Sequence, residues 1–178
     1  MLNINKKYNI IYADPPWYFK SYSKLGEDRN ATRHYPCMAF NDICNLDIND
    51  IAGVHCVLFL WVTDPFLQKS FDLIKKWNFT YKTVAFTWVK QNKKKDNFFT
   101  GLGYWTRANP EMCLLATKGK PKRISKSVNQ LIISKLQEHS KKPDEIRNRI
   151  VELCGDLPRI ELFARQKTPG WDVYGNEV

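Results

Sequence analysis

The chain has 178 residues, of which 43% are hydrophobic and 13% aromatic, and its formal net charge is +10. This length suits one domain with a substantial core, and the composition excludes intrinsic disorder as the main state. The longest apolar run, residues 56–62, is too short to span a membrane, and the N-terminus lacks a signal-peptide pattern. The five cysteines form no CxxC pair, so we expect a cytoplasmic protein without a disulfide framework.

The positive charge is concentrated in one third of the chain. Residues 90–149 hold 15 Lys and Arg against 5 Asp and Glu, while the remaining residues hold 13 of each and are neutral. A localised basic segment indicates a polyanionic partner, most commonly nucleic acid. The alternative is a solvated, lysine-rich surface without such a partner.

The first half of the chain alternates strand and helix patterns. A β-rich run over residues 8–13 ends at two prolines, a long polar loop follows over residues 18–40, and a short helix is predicted over 41–52 with Asn41 as its N-cap. Residues 55–62 are almost continuously apolar, which predicts a central strand buried on both faces.

A second strand-helix-strand pattern leads into the basic segment. Asp64 and Pro65 begin a helix, and a strand over residues 83–89 completes the unit of a parallel α/β sheet. A second long loop covers residues 90–109, and another strand is predicted over 112–117.

The last third of the chain is predicted in less detail. Residues 120–140 are basic and show no clear periodicity. An amphipathic helix over residues 143–154 ends at Gly155, which suits a C-terminal cap, and a last strand covers residues 160–164.

The motif Asp14-Pro15-Pro16-Trp17 stands directly after the first predicted strand. Ligands of open α/β sheets bind beyond the carboxyl ends of the strands. Prolines fix the backbone and lack an N–H group, which leaves their carbonyl oxygens as acceptors beside the Asp14 carboxylate. Two converging acceptors suit an exocyclic amine, and an adjacent aromatic ring suits a flat base. The alternative is a strand-ending turn without a ligand.

This motif resembles the [Asp/Asn/Ser]-Pro-Pro-[Tyr/Phe/Trp] motif of amino-methyltransferases. The chain more closely resembles the adenine N-6 methyltransferases related to the catalytic subunit of the eukaryotic messenger-RNA adenosine methyltransferase. The matching segments occur in order: ADPPW at 13–17, FLWVTD at 59–64, WVK at 88–90, EMCLLATKGKP at 111–121, KKPDEI at 141–146, RIELFAR at 159–165 and GWDVYGNE at 170–177. The resemblance implies an α/β, Rossmann-like class I methyltransferase fold with a mostly parallel seven-stranded sheet, helices on both faces and a circularly permuted motif order. The implied cofactor is S-adenosyl-L-methionine.

The resemblance also implies roles on the acceptor side. Asp14 and the Pro15 carbonyl would accept hydrogen bonds from the adenine amine, while Pro16 would keep the loop rigid. Trp17 would wall or stack the target base. Further residues expected near the acceptor are Tyr35, Trp61, Trp88, Lys90 and Glu111. Core packing is the alternative for the two tryptophans Trp61 and Trp88, and an ordinary surface position is the alternative for Glu111.

On the cofactor side the resemblance implies Asp14 together with residues late in the chain. Lys118 matches a lysine that pairs with the methionine carboxylate, and Arg165 matches an arginine that contacts the ribose. Asn176 and Glu177 match a terminal Asn-Gln pair that holds the ribose hydroxyls and the adenosine. Glu177 departs from that pattern, although a carboxylate also accepts hydrogen bonds from hydroxyls. No metal is expected.

We therefore predict one methyltransferase domain over residues 1–178 that methylates N-6 of adenine in nucleic acid, with DNA favoured because short relatives of this kind resemble bacterial or phage enzymes. The segment 90–149 is expected to contact the nucleic acid, and a homodimer is expected from the family's frequent work in pairs. The alternatives are the same reaction on RNA, N-4 methylation of cytosine, and a catalytically silent nucleic-acid-binding subunit. The basic residues expected to contact phosphates are Lys93, Lys94, Lys95, Arg107, Lys120, Lys122, Arg123 and Lys126.

Overall fold

The computed structural model describes residues 5–18, 37–138 and 140–178. Within these residues the strands are β1 (Tyr8–Ala13), β2 (Ala52–Val62), β3 (Thr80–Gln91), β4 (Glu111–Lys118), β5 (Leu131–Lys135), β6 (Arg159–Leu162) and β7 (Asp172–Tyr174). They form one seven-stranded sheet in the order β5-β3-β4-β2-β1-β6-β7. Every neighbouring pair is parallel except those that β4 makes with β2 and β3. The predicted mostly parallel, Rossmann-like α/β sheet is confirmed.

The two central strands follow from their apolar sequences. β1 has the predicted bounds, and β2 contains the predicted segment 55–62 but begins earlier, at Ala52. Residues 56–62 of β2 are all buried. A strand that is apolar on both faces is stable only where helices cover both sides of the sheet, which is the arrangement found here.

β4 lies between β2 and β3 and runs antiparallel to both. The predicted unit of strand, helix and strand is present, but β2 and β3 are second neighbours rather than a pair. We call the edge of the sheet at which β1 ends the carboxyl edge. Glu111, the first residue of β4, pairs with Trp88 near this edge, whereas Lys118 at the end of β4 pairs with Cys56 near the start of β2.

The helices are α1 (Phe40–Cys44), α2 (Ile48–Ile51), α3 (Leu67–Lys76) and α4 (Glu145–Cys154), and a 3₁₀ turn (Asp64–Phe66) precedes α3. The prediction of one helix over residues 41–52 is wrong. Asn45 and Asp47, residues that favour turns, separate α1 from α2, and Ala39 rather than Asn41 occupies the N-cap position. None of the helices in the described part of the chain is long and apolar enough to cross a membrane.

Two apolar layers cover the two faces of the sheet. Helices α1 to α3 pack on one face with Ile11 and Leu58, and α4 packs on the other with Ile10 and Phe59. The predicted amphipathic helix is thus confirmed as α4. Gly155 caps it with a φ of 93°, a left-handed value that glycine adopts without strain.

The two outermost strands, β5 and β7, are not predicted. Both are short, and β5 alternates exposed with buried residues within a basic stretch, so neither has the apolar pattern of a central strand. β5 is parallel to β3 and ends opposite Gln91, which brings the chain that follows it to the carboxyl edge.

Candidate active site

Asp14 lies at the carboxyl edge, directly after β1. Its neighbour Ala13 pairs with Leu60 of β2 on one side and with Leu162 of β6 on the other, so the motif stands at the centre of the sheet. The Asp14 side chain is 31% exposed and lines two adjoining cavities. The structure thus places the predicted carboxylate where ligands of such sheets bind.

The rest of the motif forms a braced turn. The Pro15 carbonyl accepts a hydrogen bond from the Trp17 N–H at 2.8 Å, and the Pro16 carbonyl accepts one from the Met38 N–H at 2.9 Å. The two carbonyls are therefore already engaged, and each offers only its second lone pair to a ligand. Trp17 is buried and stacks on Phe66 with ring centroids 5.0 Å apart. The Trp17 ring thus packs in the core and supports the turn, and its role as a wall or stacking partner of the target base stays a prediction.

Four charged side chains form a chain of ion pairs at this edge. The Lys142 Nζ lies 2.7 Å from Asp14 Oδ2 and 3.3 Å from Glu111 Oε2, and Glu111 Oε1 lies 2.6 Å from the Lys90 Nζ. Lys142 is the most buried of them, with a side chain that is 9% exposed. Lys90 and Glu111, both predicted at the site, are thus joined to Asp14 through a lysine that the sequence did not single out.

Burial and these ion pairs set the proton affinities of the two carboxyl groups. Burial raises the pKa of the Asp14 carboxyl above its ordinary value, although Lys142 acts against this change. Burial also acts to raise the pKa of Glu111, but Lys142 and Lys90 outweigh it, and that pKa lies below its ordinary value. Two carboxyl groups in one cluster therefore have pKa values displaced in opposite directions.

Trp61 and Trp88 lie beneath the cations of this cluster. The Lys142 Nζ is 5.5 Å from the Trp61 ring centroid, and the Lys90 Nζ is 5.4 Å from that of Trp88. Both indole rings are buried in the layer that α4 covers. Trp61 donates its N–H to the Tyr12 hydroxyl at 2.8 Å, whereas the Trp88 N–H has no hydrogen-bond partner among the described residues. The two tryptophans therefore pack in the core and also lie directly under the cations of the cluster, so both expected environments are present.

A cavity of about 390 Å³ adjoins Asp14, Pro15 and Pro16. Besides Asp14, three further predicted cofactor residues line it: Arg165, Asn176 and Glu177. The Arg165 Nε lies 3.1 Å from Glu177 Oε1, so the two form an ion pair on the cavity wall. The apolar lining of the cavity comes from Met38, Leu46, Phe163, Ala164 and Tyr174.

A smaller cavity beside it contains a buried ion pair that the sequence did not assign. Arg147 of α4 and Glu161 of β6 form two parallel hydrogen bonds, each 2.7 Å long, and the guanidinium lies 5.8 Å from the Tyr12 ring centroid. The signal for Glu161 was an acidic residue within an otherwise apolar strand. The signal for Lys142 and Arg147 was their place at the start of the last helix, which the sequence pattern connected to no other element.

Lys118 is not part of this site. The resemblance matched Lys118 to a lysine that pairs with the methionine carboxylate, but β4 is antiparallel and carries Lys118 to the opposite edge. There its Nζ contacts Asn49 Oδ1 at 3.3 Å.

Four basic residues predicted to contact phosphates follow at that same end of β4: Lys120, Lys122, Arg123 and Lys126. In this stretch the Ile124 N–H donates a hydrogen bond to the last turn of α4. The basic segment therefore divides between two edges of the sheet. Tyr35 lies outside the described residues.

The larger cavity suits a nucleoside-containing cofactor such as S-adenosyl-L-methionine. Its wall offers a carboxylate and an amide at residues 177 and 176 for hydroxyl and ring nitrogen groups, and apolar side chains for a flat ring. Asp14 adds a negative charge beside the space where a sulfonium would lie, and Lys142, which lines the adjoining smaller cavity, adds a cation for a carboxylate.

These features define a Rossmann-like domain with a methyltransferase motif and a cofactor-sized cavity at the carboxyl edge of its sheet. The chain matches the MT-A70 family model over residues 8–177 and belongs to this family of S-adenosyl-L-methionine-dependent adenine N6-methyltransferases. The resemblance stated from the sequence is thereby confirmed.

Relatives of the chain carry two kinds of name. The Type II methyltransferase M.MunI of Mycoplasma sp is 35% identical over 97% of this chain and 78% of its own length. The N(6)-adenosine-methyltransferase MT-A70-like protein of Drosophila melanogaster is 28% identical over 97% of this chain and 27% of its own length. The N(6)-adenosine-methyltransferase catalytic subunit METTL3 of Homo sapiens is 28% identical over 99% of this chain and 29% of its own length. The chain thus spans less than a third of these two animal proteins.

Proposed function

We propose that this chain transfers a methyl group from S-adenosyl-L-methionine to the N-6 amino group of adenine in DNA. The observation that carries the proposal is the position of the Asp14 carboxylate, which lines the cofactor-sized cavity and is also joined to the Lys142–Glu111–Lys90 cluster. One carboxylate is thereby in reach of both a donor and an acceptor site, as a direct transfer between two bound molecules requires.

The chain's own residues account for cofactor binding. Glu177 would accept hydrogen bonds from the ribose hydroxyls, and Asn176 would both donate to and accept from the adenosine. Arg165 holds Glu177 in place through an ion pair of 3.1 Å. Lys142 replaces Lys118 as the candidate partner of the methionine carboxylate, since it alone of the two lies at the carboxyl edge. The cofactor supplies a methyl group on a positively charged sulfur, which is already a strong electrophile.

The acceptor amine is held by two oxygens of the motif. One Asp14 oxygen faces Lys142, and the other oxygen, with the second lone pair of the Pro15 carbonyl, accepts the two amine N–H groups. Both oxygens accept hydrogen bonds from the amine N–H groups, which leaves the nitrogen lone pair directed at the methyl carbon. As the new N–C bond forms, the C–S bond would break with its electron pair staying on sulfur, and the nitrogen would give up one proton along its hydrogen bond to the Asp14 carboxylate. Positioning and exclusion of water supply most of the rate, because no covalent step by the protein is needed.

DNA is the favoured nucleic acid because of one of the relatives. The similarity to a Type II methyltransferase extends over nearly the whole of this chain and most of that relative, and it favours DNA. The net charge of +10 suits either nucleic acid. RNA is the second candidate, because the relatives named adenosine-methyltransferases match the same residues.

Mass analysis of nucleosides tests this function. The chain is incubated with labelled S-adenosyl-L-methionine and either DNA or RNA, and the product is digested to nucleosides. Label on N-6 of deoxyadenosine is the expected result, label only on RNA adenosine would move the proposal to RNA, and label on cytosine N-4 would overturn it. A silent subunit would bind cofactor and label neither substrate. Asp14→Ala is expected to abolish transfer while the thermal unfolding transition is kept.

A further inference from the structure

The loop over residues 92–110 begins and ends at the proposed active site. It connects the end of β3 at Gln91 to the start of β4 at Glu111. The residues that flank it, Lys90 and Glu111, form the ion pair of 2.6 Å that leads through Lys142 to Asp14. Both ends of the loop are therefore anchored beside the proposed position of the base that receives the methyl group.

The base of this loop is held by a network of hydrogen bonds. Asn109 accepts the backbone N–H of Lys90 at 3.0 Å and donates to the Lys90 carbonyl at 2.9 Å and to the Phe99 carbonyl. Asn92 closes the first turn through its backbone and side chain with Asn97. A Cβ on Gly103 would lie 2.0 Å from the Thr106 carbonyl oxygen, so the close approach at the tip requires glycine. These contacts fix the base of the loop, and residues 102–107 beyond it are exposed.

The tip of the loop presents Trp105 to solvent. The other five tryptophans of the chain are at most 8% exposed, whereas Trp105 is 92% exposed and has a φ of 71°. Tyr104 packs edge-on against it, with ring centroids 6.2 Å apart, and is itself largely exposed. A large aromatic ring in water and in a left-handed conformation is costly, and such costs concentrate where a ligand is bound.

The charge around the tip identifies the kind of ligand. The loop contains Lys93, Lys94, Lys95 and Arg107 against one acidic residue, Asp96, which is paired with Lys135 at 2.8 Å. Exposed aromatic rings among cations are the arrangement by which proteins hold unpaired nucleic acid, through stacking on bases and contacts to phosphates. A second copy of this chain that docked symmetrically through this loop would bring an equally positive loop against it, and the like charges would oppose that contact.

We propose that Trp105, supported by Tyr104, stacks on an unpaired base next to the target adenine, so that the loop selects single-stranded or locally opened nucleic acid. The inference rests on the proposed function, because it places the stacked base relative to the adenine that receives the methyl group. Stacking on Trp105 would also offset part of the cost of removing a base from a duplex, because the indole ring replaces the neighbouring base that is lost.

Binding of a fluorescein-labelled, single-stranded, adenine-containing DNA oligonucleotide tests this role by anisotropy. Trp105→Ala is expected to weaken binding about 5-fold or more, the loss typical of one base–aromatic stack, while Trp105→Phe weakens it less. Val54→Ala removes an exposed apolar side chain far from the carboxyl edge and is the matched control, expected to bind like the parent. Acrylamide quenching of tryptophan fluorescence reports on Trp105, because the other five tryptophans are buried. In the parent chain the oligonucleotide is expected to protect Trp105 from this quenching.

The competing outcomes are distinct. Unchanged affinity of Trp105→Ala for the single strand would overturn the proposal, as would equal losses for a single strand and a fully paired duplex. Sedimentation that shows a parent dimer converted to monomer by Trp105→Ala, with binding unchanged, would assign the loop to a second copy instead. A parent chain that binds the oligonucleotide through Trp105 but labels no adenine would refute the proposed function and leave the stacking role in place.

Discussion

The Lys142 ammonium lies 2.7 Å from the Asp14 carboxylate, although 128 positions separate the two residues in the sequence. β5 runs parallel to β3 and delivers the following chain to the carboxyl edge, where the Ser140 carbonyl accepts a second hydrogen bond from Lys142 at 3.3 Å. A partly buried carboxylate beside a cation stays ionised more readily than one without a cation. Lys142 therefore controls the protonation of the group proposed to hold the acceptor amine.

Replacing Lys142 is expected to move the acid limb of the pH–rate profile. Burial raises the pKa of Asp14, and Lys142 limits this rise, so Lys142→Met raises the pKa further. Transfer needs the ionised carboxylate as an acceptor and falls as the pH falls through that pKa. The acid limb of single-turnover methyl transfer, measured at saturating cofactor, should thus appear at higher pH in the variant.

The adjacent Lys141 provides the control for this measurement. Its Nζ pairs with Asp144 at 3.3 Å rather than with Asp14. Lys141→Met should leave the acid limb at its original pH. An acid limb that stays in place in Lys142→Met would mean that another group governs the profile.

Glu111 is expected to contribute stability that depends on pH. Its folded-state pKa lies below the ordinary value of about 4.5, because Lys142 and Lys90 outweigh the effect of burial. Its ionisation therefore stabilises the fold above pH 4.5, and this contribution is lost as the pH falls through the folded-state pKa. We expect Glu111→Gln to lower the free energy of unfolding by about 1–3 kcal/mol at pH 7.

Urea unfolding at a series of pH values measures this difference. The gap between the parent and Glu111→Gln should be widest at neutral pH and should narrow below pH 4.5. A gap of constant size across this range would show that the lost stability comes from packing rather than from charge.

The elements that could be predicted are those whose pattern is complete within one segment. β1, β2 and α4 each carry their own apolar periodicity, so their positions are correct to within a few residues. The direction of β4 could not be predicted, because the alternating pattern of a strand is the same whichever way the strand runs. β5 and β7 are short and lie at the edges of the sheet, where few apolar residues mark them.

The same distinction explains the site. Asp14 could be located because the motif and the strand before it are adjacent in sequence. Lys118 is assigned only through the resemblance, and the sequence of its strand does not show that β4 is antiparallel and ends at the far edge. Lys142 and the pair of Arg147 with Glu161 depend on contacts between distant elements, and no local pattern records those contacts.

Arg147 is expected to be essential for stability because its partner cannot be left alone. The guanidinium and the Glu161 carboxylate are both close to 10% exposed and form two hydrogen bonds of 2.7 Å. Arg147→Met leaves a buried, unpaired carboxylate, which should cost about 3–5 kcal/mol in the free energy of unfolding. Lys6→Met breaks the exposed pair with Asp172 and should cost about 1 kcal/mol or less in the same urea titration. Equal costs for the two variants would contradict the burial of the Arg147 pair.

The salt dependence of nucleic-acid binding separates the two halves of the basic segment. Lys93, Lys94 and Lys95 lie in the loop at the carboxyl edge, whereas Lys120, Lys122 and Arg123 follow β4 at the opposite edge. Each phosphate contact with a single strand contributes about 0.7 to the slope of log affinity against log salt. Alanine at all three positions of the first group should reduce that slope by up to about 2.

The matched control is the variant with alanine at Lys120, Lys122 and Arg123, which removes the same number of charges. If the nucleic acid binds along the carboxyl edge only, alanine at Lys120, Lys122 and Arg123 leaves the slope close to that of the parent, because those side chains are far from Asp14. The measurement is a series of anisotropy titrations of one oligonucleotide across salt concentrations. Equal reductions in both variants would show that the nucleic acid extends across the face of the sheet to both edges, and a reduction only in the second would place it at the wrong edge for transfer at Asp14.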